Sequence, residues 1–109
     1  MKNFDLEKLR LDTGVDSVLV FTTEGELIQA HKVAFDVNIA AMTGIIFKMC
    51  NDLSEDLFSE NTQKLMVKCN SGMFVASRIS ATTILGFITK ETTKLGILLK
   101  HLDTIYFTE

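Results

Sequence analysis

The sequence predicts an α+β domain: a five-stranded antiparallel sheet with a long central helix on one face and N- and C-terminal helices on the other. Three observations carry that expectation. The 109 residues are enough for one domain. Short β-branched runs punctuated by glycine-bearing turns fall into two groups, one on each side of the middle of the chain. Between them lies one long stretch of helical periodicity, and two hairpin groups flanking a crossover helix build an antiparallel sheet with helices packed on it.

In chain order, Phe4 to Leu11 places Phe4, Leu6, Leu9 and Leu11 among charges, a short amphipathic helix that stops at Asp12-Thr13-Gly14. Val15 to Thr22 and Leu27 to Val33 are rich in β-branched and apolar residues. The connection between them, Thr23-Glu24-Gly25-Glu26, is a hairpin turn that Gly25 closes with a positive φ. Asp36 to Phe58 is the longest helix, with Asp36 or Asn38 as its expected cap. Met42, Ile46, Met49, Leu53 and Leu57 recur at helical spacing and are expected to form its core face. Leu65 to Cys69 alternates as a strand, and Asn70-Ser71-Gly72 turns tightly into Met73 to Ile79. Ser80-Ala81-Thr82 then leads to Thr83 to Thr89, an apolar run suited to a central strand covered on both faces. Thr92 to Leu102 reads as a last helix, with Leu95, Leu98, Leu99 and Leu102 on one side. Gly14, Gly25 and Gly72 stand singly at turns, where backbone geometry accounts for them.

Hydrophobic residues make up 47% and charged residues 23%, which excludes a disordered or collagen-like chain. A domain of this size buries roughly 60–70% of its unfolded surface and needs no metal or disulfide staple. Net charge is −3, only Arg10 and Arg78 carry guanidinium groups, and the lysines are scattered, so no basic patch for nucleic acid is present. No run approaches the roughly 18 apolar residues of a membrane span, and the first residues resemble no signal peptide. Cys50 and Cys69 are too few and too far apart for a zinc or redox motif. They read as small buried hydrophobes in a reducing, cytoplasmic compartment.

The inventory for catalysis is thin. His31 lacks an orienting carboxylate and reads as a surface or edge histidine; His101 suits the C-terminal end of the last helix. The neighbouring acids Glu24/Glu26 and Glu55/Asp56 fall in turns or at helix ends, as solvated charge does. No GxGxxG, P-loop, HExxH or GxSxG pattern occurs. The sequence therefore nominates no catalytic residue, cofactor site or metal site, and the chain is not expected to be an enzyme.

The long helix offers more. Roughly opposite its expected core face lie Ala40, Gly44, Phe47 and Asn51, where a surface helix should be charged. The expectation is a self-complementary helix–helix interface of the kind that builds two-fold dimers. On that placement, Gly44→Leu or Phe47→Asp breaks the dimer and leaves the sheet folded. The strand carrying Leu65, Met66, Val67 and Lys68 follows the long helix and is expected at a sheet edge, paired with its equivalent across the two-fold. Lys64 and Lys68 fit equally well as charges that protect a bare edge.

Several segments resemble the Roadblock family of dynein-light-chain-like domains. Gly14-Val15-Asp16-Ser17-Val18-Leu19-Val20 and Thr23-Glu24-Gly25-Glu26-Leu27-Ile28 are similar to its opening hairpin. Ala40-Ala41 and Asn70-Ser71-Gly72 also resemble it, and Leu95-Gly96-Ile97-Leu98-Leu99-Lys100-His101-Leu102 resembles the last helix of the prokaryotic members. The likeness spans residues 4–103 as a single domain and leaves 104–109 as a short tail. It implies a Roadblock/profilin-like fold and a dimer, with itself or a paralogous chain, through the long helix and the middle edge strand. It also implies a non-catalytic regulator that partners a Ras-like small GTPase as scaffold or GTPase-activating protein. An arginine finger is available only from Arg10 or Arg78. The alternative is an architectural subunit or a small-molecule sensor built on a profilin-like sheet.

Overall fold

The computed structural model describes residues 5–90. Helix α1 (Leu6–Thr13) is followed by strands β1 (Ser17–Thr22) and β2 (Leu27–His31), helix α2 (Asp36–Phe58), and strands β3 (Lys64–Cys69), β4 (Gly72–Arg78) and β5 (Thr83–Thr89). The expected α+β fold is observed: the strands form one antiparallel sheet in the order β2-β1-β5-β4-β3. The final helix expected over Thr92–Leu102 lies outside the described residues.

Alternation along the strands sorts the core into two layers. Val18, Val20, Val75, Leu85 and Phe87 point to the face where α1 inserts Leu6. Leu19, Phe21, Ala76 and Ile84 point to the other face, beneath Ala40 and Phe47 of α2. Strand β5, between β1 and β4, is buried on both faces, as its apolar run predicts.

The short helix is shifted from its expected bounds. Asp5 caps it, its carboxylate accepting the Lys8 N–H at 3.0 Å, and Gly14 ends it in the left-handed region at φ 75°. The bounds of α2 match the expected ones, but its capping does not. Phe35 occupies the N-cap position at φ 58° without a side-chain cap, and the Asp36 carboxylate accepts the N–H of its neighbour Val37, at 2.8 Å. The β1–β2 turn follows expectation: Gly25 sits at φ 84°, and the Thr22 hydroxyl accepts the N–H groups of Glu24 and Glu26. Gly72 is required by space, since a Cβ there would lie 2.9 Å from the Thr89 carbonyl oxygen.

The two faces of α2 are the reverse of the expected ones. Ala40, Thr43, Gly44 and Phe47 are the buried residues, with Ile39, Cys50, Asn51 and Ser54 partly buried beside them. The expected core residues Met42, Ile46, Met49, Leu53 and Leu57 are all exposed. The reason is the closeness of the β1–β2 turn. A Cβ on Gly44 would stand 2.6 Å from the Gly25 Cα, and one on Gly25 would stand 3.2 Å from the Ala41 Cα. Backbones this close admit only small residues between them, so α2 turns its small side inward and its large apolar side outward. No described helix is long and apolar enough to cross a membrane.

Candidate interaction surface

Two exposed features adjoin the sheet face that carries α2. The first is the outer face of the helix. Met42, Ile45, Met49, Leu53 and Leu57 are each more than half exposed, Ile46 slightly less, and Val37 and Phe58 extend the row toward the two ends. Eight large apolar side chains along a 23-residue helix make a contiguous apolar patch of the type that marks an interaction site. The second feature is β3. Among the described residues it pairs only with β4 and forms one end of the sheet, with Met66 45% and Val67 44% exposed.

The hydrogen-bond phase of β3 follows from one contact. The Arg78 N–H donates to the Gln63 carbonyl at 2.8 Å, which makes that pair a hydrogen-bonded one in the register that couples Leu65 to Ala76 and Val67 to Phe74. The odd-numbered residues of β3 therefore direct their backbone groups at β4. The even-numbered ones, Met66 and Lys68 among them, direct theirs at the outer edge.

The expected interface residues thus divide. Ala40, Gly44 and Phe47 are buried against their own sheet and present nothing to a partner, which corrects their placement on an outer face. Asn51 is turned inward as well: its side-chain oxygen accepts the Thr62 N–H at 2.8 Å and an Arg78 guanidinium N–H at 3.1 Å. Leu65, partly buried, packs toward the helix-side core, while Met66, Val67 and Lys68 lie on the exposed edge strand where they were expected. Met42, Ile46, Met49, Leu53 and Leu57 were legible as helical periodicity, whereas Ile45, on the same exposed side, was missed. The signal that would have sorted the two faces is residue size, with Ala40 and Gly44 on one side and methionine, leucine and isoleucine on the other.

Arg78 is fixed in the interior. Its Nε donates to the Thr62 carbonyl at 3.1 Å, Nη1 to the Ala81 carbonyl at 3.1 Å and Nη2 to Asn51, while the guanidinium carbon lies 5.5 Å from the centre of the Phe47 ring. These neutral oxygens and the ring face replace water around a buried cation. The network ties the connection before β3 to the C-terminal half of α2, where the Ser54 and Thr62 hydroxyls also meet at 2.7 Å. Arg10, on α1, is partly buried, and its Nε has no hydrogen-bond partner among the described residues; the same holds for His31 Nε2 at the end of β2. Among the described residues no group of three or more histidine, cysteine or acidic side chains converges on a metal position.

No family model matches the chain, and no curated protein does. Solved structures do. Myxococcus xanthus MglB superposes with a TM-score of 0.81 at 16% identity, over 91% of this chain and 83% of that one. A structure described as MglB with tetrameric arrangement gives 0.85 at 16% identity, over 93% and 79%. A Roadblock/LC7 domain from Streptomyces avermitilis gives 0.75 at 12% identity, over 86% and 81%. The chain has the Roadblock/LC7 fold.

Proposed function

We propose that this chain is a non-catalytic regulatory or adaptor protein that works as a dimer and engages a Ras-like small GTPase, as scaffold or GTPase-activating partner. The observation that carries the reading is the outward apolar row of α2 beside an edge strand with a single neighbour among the described residues, on a fold whose prokaryotic family members partner such GTPases. A domain that can fill its core while leaving Met42, Ile45, Met49 and Leu53 in water has a use for that surface in assembly. The α2 outer face and β3 replace Ala40, Gly44, Phe47 and Asn51 as the proposed dimer surface.

The arginines bear on how a GTPase would be stimulated. Arg78 has committed its guanidinium to Thr62, Ala81 and Asn51, and withdrawing it would break all three of these partly buried hydrogen bonds. It is not a mobile finger. Stimulation then falls to Arg10 or to ordering of the GTPase's own switch residues. A ligand sensor would need a pocket with convergent polar groups. The recess of about 330 Å³ beside the β3–β4 turn is lined by Val67, Met73, Phe74 and Ile88 together with Cys69, Ser71, Thr89 and Lys90.

The test is affinity purification of the full chain from its native cell, followed by binding of the recovered GTPase in its GTP- and GDP-loaded forms. A nucleotide-dependent complex is expected, with the adaptor sedimenting at twice the chain mass. Equal binding to both forms, or no GTPase recovered, overturns the switch-reading role.

A further inference from the structure

We infer that Met42 and Met49 form a reversible oxidation site: a hydroperoxide converts their thioethers to sulfoxides, and the oxidised chain no longer associates with a second copy. The inference rests on the dimer proposed above and adds a chemical control acting on its helix surface.

The described methionines are unevenly placed. Met42 is 58% and Met49 66% exposed on the outer row of α2, whereas Met73, on β4, is 4% exposed within the core. Met42 and Met49 stand about two turns of helix apart and share one side. Ile45, Ile46, Leu53 and Leu57 surround them in the same row, and none of those side chains has an atom that a peroxide oxidises. Met66 is exposed too, but it pairs with Val75 between β3 and β4. Its side chain therefore points to the sheet face that holds the Val75 and Leu6 core layer, away from α2. The two methionines of α2 are thus the oxidisable positions of the helix surface.

The step needs an accessible sulfur and a hydroperoxide. The thioether lone pair attacks the outer peroxide oxygen, and an S–O bond forms as the O–O bond breaks. The peroxide proton passes to the leaving oxygen, giving the sulfoxide and an alcohol, or water from hydrogen peroxide. Sulfur gives up two electrons and the peroxide takes them. A flexible apolar side chain thereby becomes a polar one. In a helix contact the sulfoxide oxygen loses water, and the apolar row supplies no side-chain N–H or O–H to replace it. Association in turn covers the sulfurs, so oxidation and association oppose each other through one coupling that acts in both directions. Methionine sulfoxide reductases, one class per epimer, reverse the step: two thiols supply two electrons and the oxygen leaves as water.

The test treats the full chain with hydrogen peroxide, then with dithiothreitol, and reads sedimentation beside peptide mass mapping. Cys50 is partly buried and Cys69 exposed, against the buried places expected of them. Dithiothreitol returns their disulfides and sulfenic acids to thiols and leaves sulfoxides in place. Met42 and Met49 are expected to gain one oxygen each before Met73 does. The oxidised chain should keep its far-ultraviolet circular dichroism while its dimer dissociation constant rises at least about a hundredfold. Both reductase classes together should restore the dimer. Met42→Leu with Met49→Leu keeps the row apolar and should stay a dimer through the same treatment, although Met66 still gains oxygen. A dimer of unchanged affinity that carries oxygen at Met42 and Met49 overturns the site. So does an oxidised chain that unfolds, a dissociation that dithiothreitol alone reverses, or one that the double leucine variant shares. An untreated chain that sediments at single-chain mass at every concentration overturns the dimer itself.

Discussion

The two sides of α2 differ in a way that hydropathy alone does not report. The inward side is built of Ala40, Thr43, Gly44 and Phe47, and the outward side of Met42, Ile45, Ile46, Met49 and Leu53. The less hydrophobic side is the one that folds the protein. Its composition follows from distance: the Gly25 and Gly44 backbones come so near that a single methyl group would collide. Where the backbones diverge, one large ring, Phe47, fills the gap and supports the Arg78 guanidinium. The outward side faces no such constraint and keeps long, flexible apolar side chains, which suit a surface that repacks against another molecule.

The contrast is broken most severely at Phe47. Phe47→Ala leaves a cavity between α2 and Leu19, Phe21 and Ile84 and removes the ring over Arg78. The expected loss is about 3–5 kcal/mol, a large share of the stability of a small domain, read as the shift in a urea denaturation midpoint. A shift below about 1 kcal/mol would return Phe47 to the outer face, since exposed substitutions cost that little.

Gly44 gives the next effect and a sharper sign. On an exposed helix, Gly44→Ala should stabilise by about 1 kcal/mol through helix propensity. Here the added methyl meets Gly25 backbone atoms at 2.6 and 2.7 Å, and opening the turn costs about 1–3 kcal/mol. A net destabilisation is expected, and Gly44→Leu, which forces a larger opening, should cost more. A stabilised Gly44→Ala would mean that the helix does not touch the turn.

These sites also show what the sequence could and could not convey. Element order, the bounds of α2 and β5, and the edge position of β3 follow from periodicity, β-branching and turn glycines, all of which are local. The facing of α2 does not, because both of its sides are apolar enough to be core, and only the approach of Gly25, 19 positions earlier in the chain, selects between them. Arg78 is of the same kind: its contacts with Asn51 and Thr62 span 27 and 16 positions, and no periodic pattern links such residues. The Phe35 cap was missed because its φ of 58° is imposed by the entry of the chain into α2, against the preference of an aromatic residue. The edge strand was legible because it follows the long helix and carries lysines, whereas its hydrogen-bond phase rests on the Arg78–Gln63 contact.

The smallest expected effect on the fold comes from the outer side of the helix. Met49 is 66% exposed, so Met49→Asp removes little burial within one chain. Its cost to an isolated chain should stay within about 0.5 kcal/mol. In a dimer the same carboxylate enters an apolar contact without a partner, and an unpaired buried charge is prohibitive. The variant should keep its far-ultraviolet circular dichroism and sediment at the mass of one chain. Its denaturation midpoint should also lose the dependence on protein concentration that a dimer confers. Ile45→Asp, one turn earlier on the same side, should behave alike, while Lys48→Asp, a charged and exposed position of the same helix, should leave the dimer in place. If Met49→Asp instead unfolds the chain at every concentration, the outward row is core after all. If it leaves a dimer of unchanged mass, the partner surface lies elsewhere.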